Sequence, residues 1–233
     1  MSCGSPGFDG RVMIERMNNL KQTTNGWRHN LPWILLGGLL TMAAFLLVLA
    51  PEESTLGQGI KTVYVHVALT WTGMAGFVAA GLLGLLVLAT GSRRFADWMQ
   101  TLGWVAFGFY AAGIAMSALA SKVNWGNVFW QEPRMMAALN GLAVAVIVLA
   151  ANIWIPWVRV RGALQAILPA IIFWLTYSAP LLLHPRNPIS TSDSLGIKLA
   201  FGGMFALTAS LAVWVVWLVV RRSNGRAAER LPD

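Results

Sequence analysis

The chain alternates long apolar runs with short polar breaks. Six runs approach the roughly 20 apolar residues that a membrane-spanning helix needs, and they cover residues 33–50, 62–90, 98–120, 135–157, 162–183 and 197–220. The breaks between them are rich in Pro, Gly, Ser and charged residues. Within a bilayer each run must satisfy its own backbone hydrogen bonds, which a helix does. The pattern therefore predicts an all-α, polytopic integral membrane protein with six transmembrane helices.

The same pattern divides the chain into three parts. An N-terminal tail covers residues 1–30, a six-helix transmembrane domain covers 31–220 and a C-terminal tail covers 221–233. Composition agrees, because 57% of the residues are hydrophobic and 11% are charged, against about 25% charged in soluble domains. The N-terminus lacks a secretory signal, so the first run is interpreted as a retained helix. The single cysteine, Cys3, excludes a disulfide framework or a thiolate metal cluster within one chain.

The distribution of Lys and Arg predicts the orientation of the helices. One side of the predicted membrane carries twelve of these residues and the other carries five, namely Lys61, Lys122, Arg134, Arg186 and Lys198. Cytoplasmic loops carry the excess of positive charge, so both termini are expected in the cytoplasm. The net charge of +8 follows from this placement at span ends and in tails. We therefore expect a lipid bilayer, and no nucleic acid, as the partner of these cations.

Small and polar residues within the spans predict how the helices pack. Span two carries four glycines and span three carries three: Gly73, Gly76, Gly81 and Gly84, then Gly103, Gly108 and Gly113. Small residues let membrane helices approach closely. Pro169 and Pro180 should kink span five or loosen its outer end. Asn140 and Asn152 in span four are interpreted as interhelical hydrogen-bonding groups.

Two histidines fall on the predicted outer face of the membrane. His66 lies about one turn into span two, and His184 closes span five, where the following Pro185 stops the helix. The remaining histidine, His29, falls on the cytoplasmic side. A neutral imidazole near an interface can ligate a metal. The alternative interpretation is a pair of ordinary interfacial histidines that bond headgroups or neighbouring backbone.

The loop between spans three and four is rich in aromatic residues and cations. Trp125, Phe129 and Trp130 could stack on a flat ring. Arg134 and Lys122, together with Arg186 from the loop after span five, could pair with carboxylates on that ring. The alternative for this loop is the aromatic belt that any membrane interface can carry.

The residues at the ends of this loop favour particular backbone structure. Gly126 indicates a turn that brings the backbone close to another group. Glu132 and Pro133 suit the first turn of span four, where an acid complements the helix dipole and proline loses no hydrogen bond.

From about Gly59 through the last span, the chain resembles the haem-handling membrane proteins of cytochrome c assembly, specifically their six-span CcmC-type branch. Lys61 to Val67, with Val-Tyr-Val-His-Val, resembles the family segment that holds its first histidine. Trp125 and Gly126 begin a form of the family's Trp-Gly-x-x-Trp-x-Trp-Asp signature, which is followed by Arg. Phe129, Gln131 and Glu132 stand where the family has Trp, Trp and Asp, so the motif is degenerate. His184 falls where the family has its second histidine.

The resemblance implies a function in cytochrome c maturation. His66 and His184 would ligate the iron of haem b, bound stably or in transit, and the loop residues Trp125, Gly126, Phe129, Trp130, Glu132 and Arg134 would hold the haem at the periplasmic face of a bacterial inner membrane. The implied partners are a membrane-anchored periplasmic haem chaperone and ABC transporter subunits of the maturation system. No residue is assigned as catalytic, so a transfer platform without classical enzymatic chemistry is expected.

Two other classes of protein remain as alternatives. One is a non-haem membrane scaffold of a cytochrome assembly or ABC transporter complex, in which replacing both histidines leaves function intact. The other is a transporter, which would need more polar or ionisable groups near the bilayer centre than these spans contain.

Overall fold

The protein is described by a computed structural model over residues 10–180 and 192–228, with side chains described for 30–180 and 192–222. Over these residues every regular element is an α-helix: α1 (Gly10–Leu49), α2 (Ile60–Thr90), α3 (Arg93–Trp125), α4 (Pro133–Trp154), α5 (Val158–Ser178) and α6 (Leu195–Ala228). Each contains a stretch long and apolar enough to cross a membrane. The prediction of an all-α chain with six such helices is confirmed.

Several helices begin or end away from the limits of their apolar runs. Helix α1 begins at Gly10, well before residue 33, and α5 ends at Ser178 rather than at residue 183. Helix α3 extends at both ends of the predicted 98–120, because Ser92 accepts a hydrogen bond from the Phe95 N–H at the start and Gly126 closes the end. Hydropathy marks the apolar part of a helix, whereas backbone hydrogen bonding continues until a cap ends it.

The chain divides after Thr41 into two units. In the first, the described residues belong to α1. The second begins at Met42 and contains the end of α1 together with helices α2 to α6.

Helices α2 and α3 form the centre of the second unit. Helix α2 packs most extensively against α3 and next against α5, while α4 packs on α5 and α3, and α6 on α2 and α3. Phe77 and Tyr110 meet edge to face at the α2–α3 contact, with ring centroids 5.8 Å apart. Leu149 of α4 and Ile172 of α5 complete this buried cluster.

Glycines bring the α2 and α3 backbones into direct contact. A Cβ added to Gly73 would lie 2.6 Å from the Tyr110 nitrogen, and one added to Gly113 would lie 2.8 Å from the Thr70 nitrogen. Since neither distance leaves room for a side chain, both residues are required by packing. The predicted role of glycine in close approach is confirmed at these positions.

Glycine has the same role where α2 meets α5, but not everywhere. A Cβ on Gly84 would lie 2.7 Å from the Gly162 oxygen, and Gly81 packs against Pro169. Helix α5 continues through Pro169. The packing prediction is wrong for Gly108, which is exposed and lines a groove between α3 and α6, with no atom within 4 Å of an added Cβ.

Buried polar side chains link the helices in pairs. Asn152 of α4 donates to the Gln165 side-chain oxygen of α5 over 3.3 Å, and both residues are fully buried. The hydroxyls of Thr72 on α2 and Thr208 on α6 lie 2.8 Å apart. The predicted interhelical hydrogen bond is thus confirmed for Asn152. Asn140 makes no such bond within the described part of the chain.

Candidate functional site

His66 is held against the backbone of the neighbouring helix. It is half-buried on α2, and its Nδ1 atom lies 2.8 Å from the carbonyl oxygen of Gly113 on α3. A carbonyl oxygen only accepts hydrogen bonds, so the Nδ1 atom carries the proton. In the neutral ring the lone pair therefore resides on Nε2, the nitrogen that can act as a metal ligand.

The start of α2 is fastened to the end of α3 one turn before His66. The Asn124 side chain donates to the Thr62 hydroxyl and to the Gly59 carbonyl, each over 3.3 Å, and to the Ala120 carbonyl over 2.8 Å. Thr62, His66 and Thr70 follow one another at four-residue spacing, so they share a helix face. That face contacts α3, because Thr70 packs against Gly113. The end of α3, where the aromatic loop begins, therefore lies beside Thr62 on α2. Thr62 is one helical turn, about 6 Å along the helix axis, from His66.

Gly126 ends α3 and begins the loop. Its φ of 76° lies in the left-handed region, and its N–H bonds the Lys122 carbonyl over 2.9 Å. Glycine adopts this conformation without steric cost. The predicted turn is present, but no described atom lies within 4 Å of a Cβ added to Gly126, so a close approach of this backbone to a ligand stays a prediction. The glycine is required by the helix cap.

Hydrogen bonds fix the path of the loop after Gly126. The Ser121 hydroxyl donates to the Asn127 carbonyl, and the Asn127 side chain accepts from the Val128 N–H, both over 2.8 Å. The Glu132 N–H then bonds the Phe129 carbonyl over 3.1 Å. These bonds hold the loop backbone at four of its residues, so the aromatic side chains are carried on a defined chain path.

The three aromatic side chains of the loop are all exposed. Trp125 is 51% exposed, Phe129 38% and Trp130 54%. Side chains used for packing within the chain would be buried, so these rings are available to an external apolar surface. That surface is either a flat ligand or the interfacial layer of a bilayer.

Glu132 caps helix α4. Its carboxylate accepts a hydrogen bond from the Met135 N–H over 2.8 Å, and the side chain is only 6% exposed. Pro133 occupies the first turn. The expectation of an acid and a proline at this helix start is confirmed. The cap also gives Glu132 a structural role, separate from the ligand-binding role that the resemblance implies.

Arg134 lies in the first turn of α4, next to the aromatic loop. It is half-buried, and its Nε atom is buried without a hydrogen-bond partner among the described residues. A buried guanidinium N–H without an acceptor is unfavourable. Because this Nε atom is enclosed by the protein, an acidic ligand would have to pair with the terminal N–H groups of the guanidinium.

The second predicted histidine lies outside the described residues. His184 and the nearby Arg186 fall between residues 181 and 191, so the pairing of His66 with His184 stays a prediction. Within the described residues, no group of three or more His, Cys, Asp or Glu side chains could hold a metal ion. A haem iron needs only axial ligands from the protein, and His66 is the described residue predicted to be one of them.

Sequence inspection missed the residues that position His66. Gly113 was expected only to let helices approach, yet its carbonyl also orients the imidazole. No role was predicted for Asn124, which precedes the loop, yet its side chain joins α3 to α2. The four-residue spacing of Thr62, His66 and Thr70 was the available signal for a shared face on α2.

Over its described residues the chain is all-helical, with six helices of membrane-spanning length and an exposed aromatic loop beside a positioned histidine. No protein-family model and no curated protein matches the chain.

Proposed function

We propose that this protein binds haem at one face of a bacterial inner membrane and presents it to a periplasmic haem chaperone during cytochrome c maturation. His66 and His184 would be the axial ligands of the iron. The observation that carries the proposal is the 2.8 Å contact between His66 Nδ1 and the Gly113 carbonyl. This contact fixes the ring and assigns the lone pair to Nε2, beside a loop with three exposed aromatic side chains.

A backbone carbonyl behind a ligating histidine is a recurrent feature of metal sites. The hydrogen bond selects one tautomer, holds the ring in one orientation and raises the basicity of the other nitrogen. Gly113 would serve His66 in this way. Bound haem supplies an iron that takes two axial nitrogen ligands, and the chain supplies the oriented imidazole.

The loop residues would bind the remainder of the haem molecule. Trp125, Phe129 and Trp130 would cover a face of the ring, and stacking would remove apolar area from water. Arg134 would bind a propionate through the terminal N–H groups of its guanidinium. Glu132 would act indirectly by fixing the start of α4 and so the position of Arg134.

The distribution of charge supports the proposed orientation. With twelve Lys and Arg residues on one side and five on the other, both termini would be cytoplasmic and the His66 end would face the periplasm. Haem held there would be accessible to a membrane-anchored chaperone, with ABC transporter subunits as further partners. The protein would act as a platform whose residues bind and orient the haem.

The same His66 contact favours a second candidate, a non-haem scaffold subunit. The bond to Gly113 joins α2 to α3, so His66 could serve helix packing alone. In that case the protein would not bind haem, and replacing His66 would only lower the stability of the fold. The two candidates therefore differ in whether the histidine binds iron.

Visible spectroscopy of purified protein in detergent tests the proposal. Wild type titrated with haem is expected to give a low-spin bis-histidine spectrum that His66→Ala or His184→Ala weakens. His29→Ala is the matched control, because that histidine is predicted on the opposite side, and it should bind haem like wild type. A spectrum of free haem at every point of the wild-type titration would refute haem binding and leave the scaffold.

A further inference from the structure

Helix α4 presents a regular exposed stripe on the side opposite its contacts with α3 and α5. Positions spaced alternately by four and three residues lie along it: Met136, Asn140, Ala143, Ile147, Ala150 and Trp154. All are exposed except Ala150, which is half-buried. This spacing is the seam of a left-handed helix pair. Over 18 residues the stripe extends about 27 Å along the helix.

The exposed stripe contains one polar side chain inside the apolar span. Asn140 lies seven residues after Pro133, about 10 Å along the helix. It makes no side-chain hydrogen bond to any described residue, although it is exposed on an apolar helix. Away from the ends of the described apolar helices, no other Asn or Gln side chain is exposed. An amide that faces hydrocarbon without a partner is unfavourable, so Asn140 indicates that another polar group meets it there.

We propose that this stripe is a homodimer interface, in which α4 pairs with α4 of a second copy of the chain. Two copies inserted in one membrane have the same orientation, so their α4 helices run parallel. A two-fold axis along the membrane normal then places Asn140 of each copy at the same depth. An amide carries both donors and an acceptor, so two copies of Asn140 satisfy each other. An unrelated helix would need a matching polar group at that depth.

The residues around Asn140 suit such a pair. Ala143 is small, so the two backbones can approach one turn below the amides. Ile147, 65% exposed, and Trp154, 84% exposed, supply apolar area further along. A single Asn in an otherwise apolar seam fixes the register of a parallel helix pair. The stripe carries no charge, so no like charges oppose each other across the axis.

The other exposed helix faces lack this combination. On α2 the exposed side chains include Val78, Leu82 and Leu85, all aliphatic, and lipid chains satisfy such a surface without a partner. Dimerisation does not depend on haem binding. The aromatic loop leads directly into α4, so two paired copies would hold their loops at the same end of the interface.

Cysteine cross-linking in native membranes tests the interface. In a Cys3→Ser background, Ala143→Cys and Ile147→Cys are expected to form disulfide-linked dimers under mild oxidation. Val78→Cys and Leu82→Cys, exposed on α2, are the controls and should remain largely monomeric. Equal cross-linking at all four positions would indicate random collision and overturn the proposal. Cross-linking of the α4 positions only to a foreign protein would also overturn it.

Dilution of donor- and acceptor-labelled protein in liposomes tests the role of Asn140. Asn140→Leu should weaken dimerisation by about threefold to thirtyfold, and Asn140→Gln, which keeps an amide, should retain most of it. Helical content and melting temperature should stay nearly unchanged, because Asn140 is exposed and makes no side-chain hydrogen bond to a described residue. A wild-type protein that stays monomeric, or an Asn140→Leu variant that dimerises as tightly as wild type, would overturn the proposal.

Discussion

The Nδ1 atom of His66 on α2 lies 2.8 Å from the carbonyl oxygen of Gly113 on α3. The same glycine lies against Thr70, one helical turn after His66. One residue therefore sets both the spacing of the two central helices and the tautomer of the histidine. The stability of the helix contact and the orientation of the imidazole are coupled through this position.

Replacing Gly113 should disturb both properties. In Gly113→Ala the new Cβ would lie 2.8 Å from the Thr70 nitrogen, so the helices must separate, at a cost of about 1–3 kcal/mol. Thermal unfolding in detergent should show a lower Tm, and haem affinity should fall. Gly108→Ala on the same helix is the control, because its Cβ would meet nothing within 4 Å. Equal Tm values for the two variants would contradict the packing role of Gly113.

Glu132 should act as a helix cap and not as a ligand. Glu132→Ala removes the acceptor for the Met135 N–H and should lower stability by about 1 kcal/mol. Asp is itself a favourable capping residue, so Glu132→Asp should retain most of the stability and the haem spectrum. Loss of haem binding in Glu132→Asp at unchanged Tm would show instead that the longer acid contacts the ligand.

The exposed aromatic residues should contribute to haem affinity in proportion to the ring area they cover. Trp130→Ala and Trp125→Ala should each weaken haem binding by about 0.5–1.5 kcal/mol, or about twofold to tenfold in Kd, as measured by spectral titration. Trp157→Ala is the control, because Trp157 is also exposed but lies at the start of α5, away from the aromatic loop and outside the proposed dimer interface. If all three variants bind haem like wild type, the loop aromatics serve the membrane interface alone.

The turn after α1 should be sensitive to acid. Backbone N–H donors of Leu56 and Thr55 and the Ser54 hydroxyl bond the Glu53 carboxylate and lower its pKa. The turn is therefore fully stabilised above the ordinary Glu pKa, and this stabilisation is lost as the pH falls through the lowered value.

Hydrogen exchange measures this effect. Protection of the Thr55 and Leu56 amides, relative to their intrinsic rates, should decrease as the pH falls through the lowered pKa. In Glu53→Gln the protection should be weaker and should not change in this pH range. Glu52→Gln should behave like wild type, because Glu52 accepts none of these bonds. A wild-type profile that does not depend on pH would exclude the carboxylate as the source of protection.

Hydropathy was sufficient to predict six helices, because long apolar runs in a bilayer must be helical. It could not predict that α3 extends to Trp125, since that end depends on the left-handed Gly126 cap. Glycine spacing predicted the close contacts at Gly73 and Gly113 but not the exposure of Gly108, which depends on which face of α3 the other helices cover.

The candidate site was predictable in its residue types and not in its contacts. Exposure of Trp125 and Trp130 follows from their position beside a polar loop. The hydrogen bond from His66 to Gly113 joins residues 47 positions apart, and no local pattern specifies such a pair. Glu132 is an intermediate case, because its position before Pro133 predicted the cap that the structure shows, whereas a ligand contact was implied only by the family resemblance.

Rescue by free imidazole tests most directly whether His66 binds iron. His66→Gly removes both the proposed ligand and the link to α3, whereas added imidazole can replace only the ligand. The account predicts that imidazole restores the low-spin haem spectrum of His66→Gly at concentrations that leave free haem in the same detergent largely unligated. Two results would contradict iron ligation by His66. The first is a His66→Gly variant that binds haem with the wild-type spectrum before imidazole is added. The second is a variant with intact helical content whose low-spin spectrum is lost and does not return when imidazole is added.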